Sequence, residues 1–109
     1  WTGDLAEAIA QIIPHLNCQT YGTYHYTNSG AISWYDFAMA IFEEAKKLGF
    51  PVEVKRVVPI TTAEYPTPAK RPAFSVLNSG KISKVLGNHP PYWLNSLRQM
   101  LKQLAAVSN

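Results

Sequence analysis

The chain has 109 residues, 47% apolar and 16% charged, with a formal net charge of +3. One domain's length with that apolar share excludes a disordered tail, and no apolar run approaches the ~18 residues a membrane helix needs. Residues 1–45 carry five acids and no Lys or Arg, whereas residues 46–109 carry ten cations against Glu53 and Glu64. Six of those ten cations fall in pairs (Lys46/Lys47, Lys55/Arg56, Lys70/Arg71), and none form a run. Paired cations argue against nucleic acid and favour a small anionic ligand. The single Cys18 cannot form an internal disulfide, which fits a reducing compartment and a cytoplasmic location. The first residues, WTGDLAEAIAQII, already approach a helix without an initiator Met or signal-type segment, and so read as a piece of a longer protein.

Leu5, Ala8, Ile9, Ile12, Ile13 and Leu16 follow a helical period and predict a core-facing stripe, with Thr2 or Asp4 as cap and Pro14 as breaker. GTYHYT (22–27) is aromatic and β-branched and predicts a strand between Gly22 and Asn28. The clearest helix starts at Ser33, with Asp36 at capping-box spacing. Trp34, Phe37, Ala38, Ile41, Phe42, Ala45 and Leu48 form its apolar face, Lys46 and Lys47 its last turn, and Gly49 and Pro51 its stop. VEVKRVVPI (52–60) alternates and predicts a second strand ending at Pro59, and SVL (75–77) a third short extended piece. Asn78 or Ser79 then caps a short helix ended by Gly87, HPPYW forms a stiff turn, and Leu94, Leu97, Leu101 and Leu104 mark a last helix. The expected fold class is therefore α/β, with about four helices and two or three short strands.

Familiar catalytic devices are missing from the sequence. His15, His25 and His89 lie on separate elements without metal-ligand spacing, and Cys18 has no neighbouring cation. No serine sits in a Gly-x-Ser-x-Gly elbow, and there is no glycine-rich phosphate loop. No Tyr-x-x-x-Lys pair sets a phenol beside an ammonium. What remains is the arm YPTPAKRPAFSVLNS, beginning at Tyr65. Pro66, Pro68 and Pro72 fix their own φ and bias Tyr65, Thr67 and Arg71 to extended geometry. Arg71 offers a planar fork for phosphate oxygens, Lys70 a point charge, Tyr65 a ring and hydroxyl, and Thr67 a hydroxyl. A stiff surface crossing with solvated cations accounts for the same residues, and composition alone leaves both readings open.

Three stretches in order, TGDLAEAI, GTYHYTNSGAISWYDFAMAI and VVPITTAEYPTPAKRPAFSVLNSGKI, resemble the C-terminal part of the dTDP-4-dehydrorhamnose reductases, within the extended short-chain dehydrogenase/reductases. The resemblance runs from Thr2 to about Leu104. It implies a Rossmann-type parent whose N-terminal domain, absent here, binds NADPH or NADH and holds the catalytic Thr, Tyr and Lys. The whole of residues 1–109 would be a single C-terminal domain that binds the dTDP-sugar. The fragment alone is then expected to be inactive, with no cofactor, metal or catalytic residue of its own. Its partners would be the sugar nucleotide and its own Rossmann domain, in a parent that could be a homodimer, with neither nucleic acid nor membrane. By the same resemblance GTYHYT extends the Rossmann sheet, and the arm borders the sugar-nucleotide cleft. Arg71 would then meet the diphosphate, Lys70 second to it, with Tyr65, Thr67 and Ala69 shaping the sugar-facing wall. Phe74 and Asn78 depart from the family's usual Asn and Asp, which removes a polar contact at Phe74 but keeps a cap at Asn78. An alternative is a non-catalytic relative such as the regulatory β subunit of methionine adenosyltransferase, acting through protein contacts.

Overall fold

Four α-helices form in the computed structural model, which describes residues 1–108. They are α1 (Thr2–Ile12), α2 (Trp34–Lys47), α3 (Gly80–Leu86) and α4 (Trp93–Ser108). Single 3₁₀ turns occupy Ile13–His15, where Pro14 ends α1, and Thr62–Glu64, just before the arm. The α/β expectation is corrected: no strand forms among the described residues, and the one ladder-type pairing is an isolated parallel bridge between Ser29 and Tyr92.

The missing strands have local causes. In 22–27 two backbone groups, Thr23 O and Thr27 N, are taken by side chains rather than by a neighbouring strand. Lys81 Nζ donates to Thr23 O (2.9 Å), and Thr27 N donates to Ser79 Oγ (3.2 Å). Lys81 Nζ also lies 4.4 Å from the Tyr24 ring centroid, a cation–π contact. Gly22 has φ +150°, a backbone conformation that favours glycine, and a Cβ there would fall 2.6 Å from that same Nζ, so the lysine end would have to move aside. In 52–60 only Val52 and Val57 are half-buried, five residues apart, so burial does not follow a strand's period of two. Val54, Val58 and Ile60 are exposed, and residues 75–77 are exposed throughout. An alternating pattern offers a face, but a strand exists only where a partner completes its hydrogen bonds.

The chain divides into two compact units, Trp1–Ala31 together with the chain from Leu77 onward, and Ile32–Val76. In the first unit α1 packs on α3, and Ala8, Ile82, Leu97 and Leu101 are buried. Burying a side chain such as Leu97 or Ile82 stabilises by about 1.5–3 kcal/mol. Gly87 ends α3 in the left-handed region (φ 76°), donating to Ser83 O. Asn78 Oδ1 accepts from Gly80 N (2.8 Å), while the Ser79 hydroxyl is drawn to Thr27.

Asp4 is not the cap of α1. Trp1 takes that position without a side-chain bond, and the Asp4 carboxylate is buried, accepting from Asn28 Nδ2 (2.7 Å) and from the Ser96 hydroxyl. Asn28 Nδ2 also lies within bonding distance of Ser96 Oγ (3.0 Å) and Pro91 O (3.2 Å), and its Oδ1 accepts from the Trp1 nitrogen (2.6 Å). Ser29 donates its amide to Pro91 O (2.9 Å) and its hydroxyl to Pro90 O (2.5 Å). These bonds tie α1, the 28–29 segment and the start of α4 together. They also turn α1: Asp4 and Ala8 face inward, while Leu5, Ile9, Ile13 and Leu16 are 42%, 52%, 60% and 40% exposed. The predicted core-facing stripe is corrected accordingly.

The second unit is built on α2. Ser33 caps it, accepting from Asp36 N (3.0 Å), and Gly49 follows its end with φ 84°. Lys47 pairs with the buried Glu44 carboxylate (3.2 Å) one turn away. Ala45 is buried, Phe37, Ala38, Ile41 and Phe42 are half-buried, and Trp34 is exposed with its ring edge-on to Phe37.

Candidate functional site

The arm from Tyr65 to Val76 lies in the second unit and begins from a local lock. Glu64 N donates to Thr61 O (3.1 Å), closing the 3₁₀ turn. The Glu64 carboxylate in return accepts from Thr61 N (3.0 Å) and Thr61 Oγ1 (2.9 Å), the reciprocal arrangement of a capping box. Those two hydrogen bonds, backbone first, hold the Glu64 carboxyl below its ordinary range, because they favour its charged form. Tyr65 leaves the turn at φ −132°.

A second local bond follows. Thr67 Oγ1 donates to Ala69 O (2.9 Å) between Pro66 and Pro68. Its proton is therefore committed to the arm's own backbone, while its lone pairs stay open. Lys70 and Arg71 come next, both exposed, and neither is hydrogen-bonded or ion-paired to any of the described residues. Tyr65 is 67% exposed, Phe74 is 78% exposed and Ala69 is exposed. The predicted site residues Tyr65, Thr67, Ala69, Lys70 and Arg71 thus share one exposed, self-braced segment. Every hydrogen bond that shapes residues 61–69 spans only two or three positions.

Sequence reasoning named the arm and its cations but passed over Glu64. The signal was present as TTAE, a Thr-x-x-Glu at capping-box spacing immediately upstream of Tyr65. Other titratable groups offer less chemistry. Burial, then the Asp4 and Glu7 carboxylates, push the Tyr26 phenol above its ordinary value, so it stays protonated at neutral pH. Tyr24, the tyrosine beside a lysine, gives its hydroxyl proton to Thr20 O, and Lys81 sits over its ring rather than beside its oxygen. Residues 1–109 contain neither a glycine-rich phosphate loop nor a Tyr-x-x-x-Lys pair. Among the described residues no group of three or more His, Cys, Asp or Glu could hold a metal, and no helix is long and apolar enough to cross a membrane.

The family model for the RmlD substrate binding domain matches residues 1–106. The chain belongs to the RmlD substrate-binding-domain family. It is 42% identical over 103 residues to the dTDP-4-dehydrorhamnose reductase of Aggregatibacter actinomycetemcomitans, covering 92% of this chain and 35% of that protein. Against the dTDP-4-dehydrorhamnose reductase of Escherichia coli strain K12 the identity is 40% over 83 residues, 76% of this chain and 28% of the relative. Against the spore coat polysaccharide biosynthesis protein SpsK of Bacillus subtilis it is 39% over 107 residues, 98% and 34% respectively. The chain thus spans about a third of the length of these curated relatives. As a member of this family, it presents Lys70 and Arg71 on a stiff exposed segment of a substrate-binding domain.

Proposed function

We propose that residues 1–109 are the C-terminal, sugar-nucleotide-binding domain of a dTDP-4-dehydrorhamnose reductase, which reduces the 4-keto group of dTDP-4-dehydro-L-rhamnose to give dTDP-L-rhamnose. The match to the substrate-binding-domain family over residues 1–106 carries this reading, and the names of the relatives support it. In such a protein NADPH or NADH is held by a Rossmann domain outside these residues, in a cytoplasmic enzyme.

The role of this chain is to hold the anionic half of the substrate. Arg71 places a planar array of donors on the diphosphate, Lys70 adds charge, and Tyr65, Thr67 and Ala69 line the approach of the sugar. A stiff arm suits this task, since a segment already in its bound shape loses little conformational entropy on binding. In the full-length protein, Arg71→Ala should raise KM for the dTDP-sugar by roughly one to two decades, the value of a lost charge-assisted contact of about 1.5–3 kcal/mol. Steady-state kinetics test this, and an unchanged KM removes Arg71 from the site.

A further inference from the structure

The two local locks on either side of Tyr65 share one feature: neither depends on any distant part of the chain. Glu64 closes its bonds on Thr61, three residues back, and Thr67 closes its bond on Ala69, two residues on. Between and beyond them Pro66, Pro68 and Pro72 remove backbone freedom. The exposed cations follow directly, with Lys70 one residue after the carbonyl that Thr67 holds. We propose that Glu64 and Thr67 are positioning residues for ligand binding, which set the backbone from which Arg71 reaches an anionic group before any ligand arrives.

This rests on the reading of the arm as the diphosphate-binding segment, and it changes the part played by Thr67. Its hydroxyl proton is spent on Ala69 O, so its first contribution is to the shape of the arm rather than to a donor contact with the sugar. Glu64 acts likewise through Thr61. Its carboxylate is fully exposed yet held below its ordinary range, as the two bonds it accepts require. The prolines bias Tyr65 and Thr67 to extended geometry but leave Ala69 unrestrained, and the two locks add hydrogen bonds to that bias: the turn closed just before Tyr65, and the bond from Thr67 to Ala69.

The test uses the full-length protein with Glu64→Ala and Thr67→Val, beside the conservative Glu64→Gln and Thr67→Ser. Backbone order parameters at Tyr65, Thr67, Ala69, Lys70 and Arg71 are read without ligand, and KM and kcat with the dTDP-sugar. Glu64→Ala should lower order across the arm and raise KM about three- to tenfold, with kcat and the melting temperature unchanged, and Thr67→Val should lower order and raise KM by at least as much, as expected when one or two exposed hydrogen bonds are lost. The Gln and Ser variants keep the accepting or donating oxygen and should restore both readouts. In an Arg71→Ala background the KM effects should vanish, because nothing is left to position. Unchanged order overturns the proposal, as does lost order with unchanged KM, a matching fall in kcat, or a KM effect that persists in full without Arg71. If Arg71→Ala alone leaves KM unchanged, the diphosphate reading fails, while the order parameters still decide the bracing.

Discussion

The two units are held by opposite kinds of bond. In the first, Asp4 is joined to Asn28 and Ser96 across 24 and 92 positions of sequence, so distant segments close on one buried carboxylate. In the second, the hydrogen bonds around the arm span two or three positions and lie at the surface. Long-range bonds can form only when the whole unit folds, and their loss is felt by the whole unit. Short-range bonds with proline set a local shape cheaply, and their loss is felt where the cations stand. If the arm presents the ligand as proposed, stability and ligand presentation fall to different residues, and substitutions can separate them.

The largest effect is expected at the buried node. Asn28→Ala removes the amide donor from the buried Asp4 carboxylate, leaving it the Ser96 hydroxyl, and also loses the bond to Pro91 O, which should cost about 2–4 kcal/mol. A denaturant melt measures it, and the order of the arm should be untouched; a loss below about 1 kcal/mol would mean that water replaces Asn28 at little cost. A smaller effect is expected at Ser33→Ala, which removes the cap of α2 and should cost about 1 kcal/mol. Ser33→Asp should recover it, since aspartate caps as well and suits the helix dipole.

The smallest effect is set by pH. Glu64 binds a proton less tightly in the folded chain than in the unfolded one, because Thr61 donates to its charged form. Its contribution is therefore complete above the ordinary glutamate range and is lost as pH falls through the folded-state value. A carboxyl-carbon NMR titration should place its midpoint below that of a free glutamate, and Thr61→Val should move it back towards that value. A midpoint unaltered by Thr61→Val would show that the side-chain bond does not hold the carboxylate.

Much of the helical framework is legible in the sequence, because its causes are local. The period of Phe37, Ile41 and Ala45, the Ser33 cap and the positive-φ glycines at 49 and 87 all act within one or two turns. The strands were misread because alternation at 52–60 and aromatics at 22–27 describe what a strand needs on its faces, not whether its backbone finds a partner. Asp4 was misread for a related reason. Near a helix start it looks like a cap, and only folding brings Asn28 and Ser96 to it. In the arm the cations and prolines were plain, whereas the Thr61–Glu64 lock was legible and overlooked, and the bond from Thr67 to Ala69 needed geometry to appear.

The central claim is that the arm around Arg71 binds the nucleotide end of the substrate. Titrating the full-length protein with dTDP while following backbone amide shifts tests it most directly. The account predicts saturable shifts concentrated at Tyr65, Thr67, Ala69, Lys70 and Arg71, abolished by Arg71→Ala without loss of fold. Saturable binding that leaves those amides unmoved, or that survives Arg71→Ala at full affinity, would contradict it.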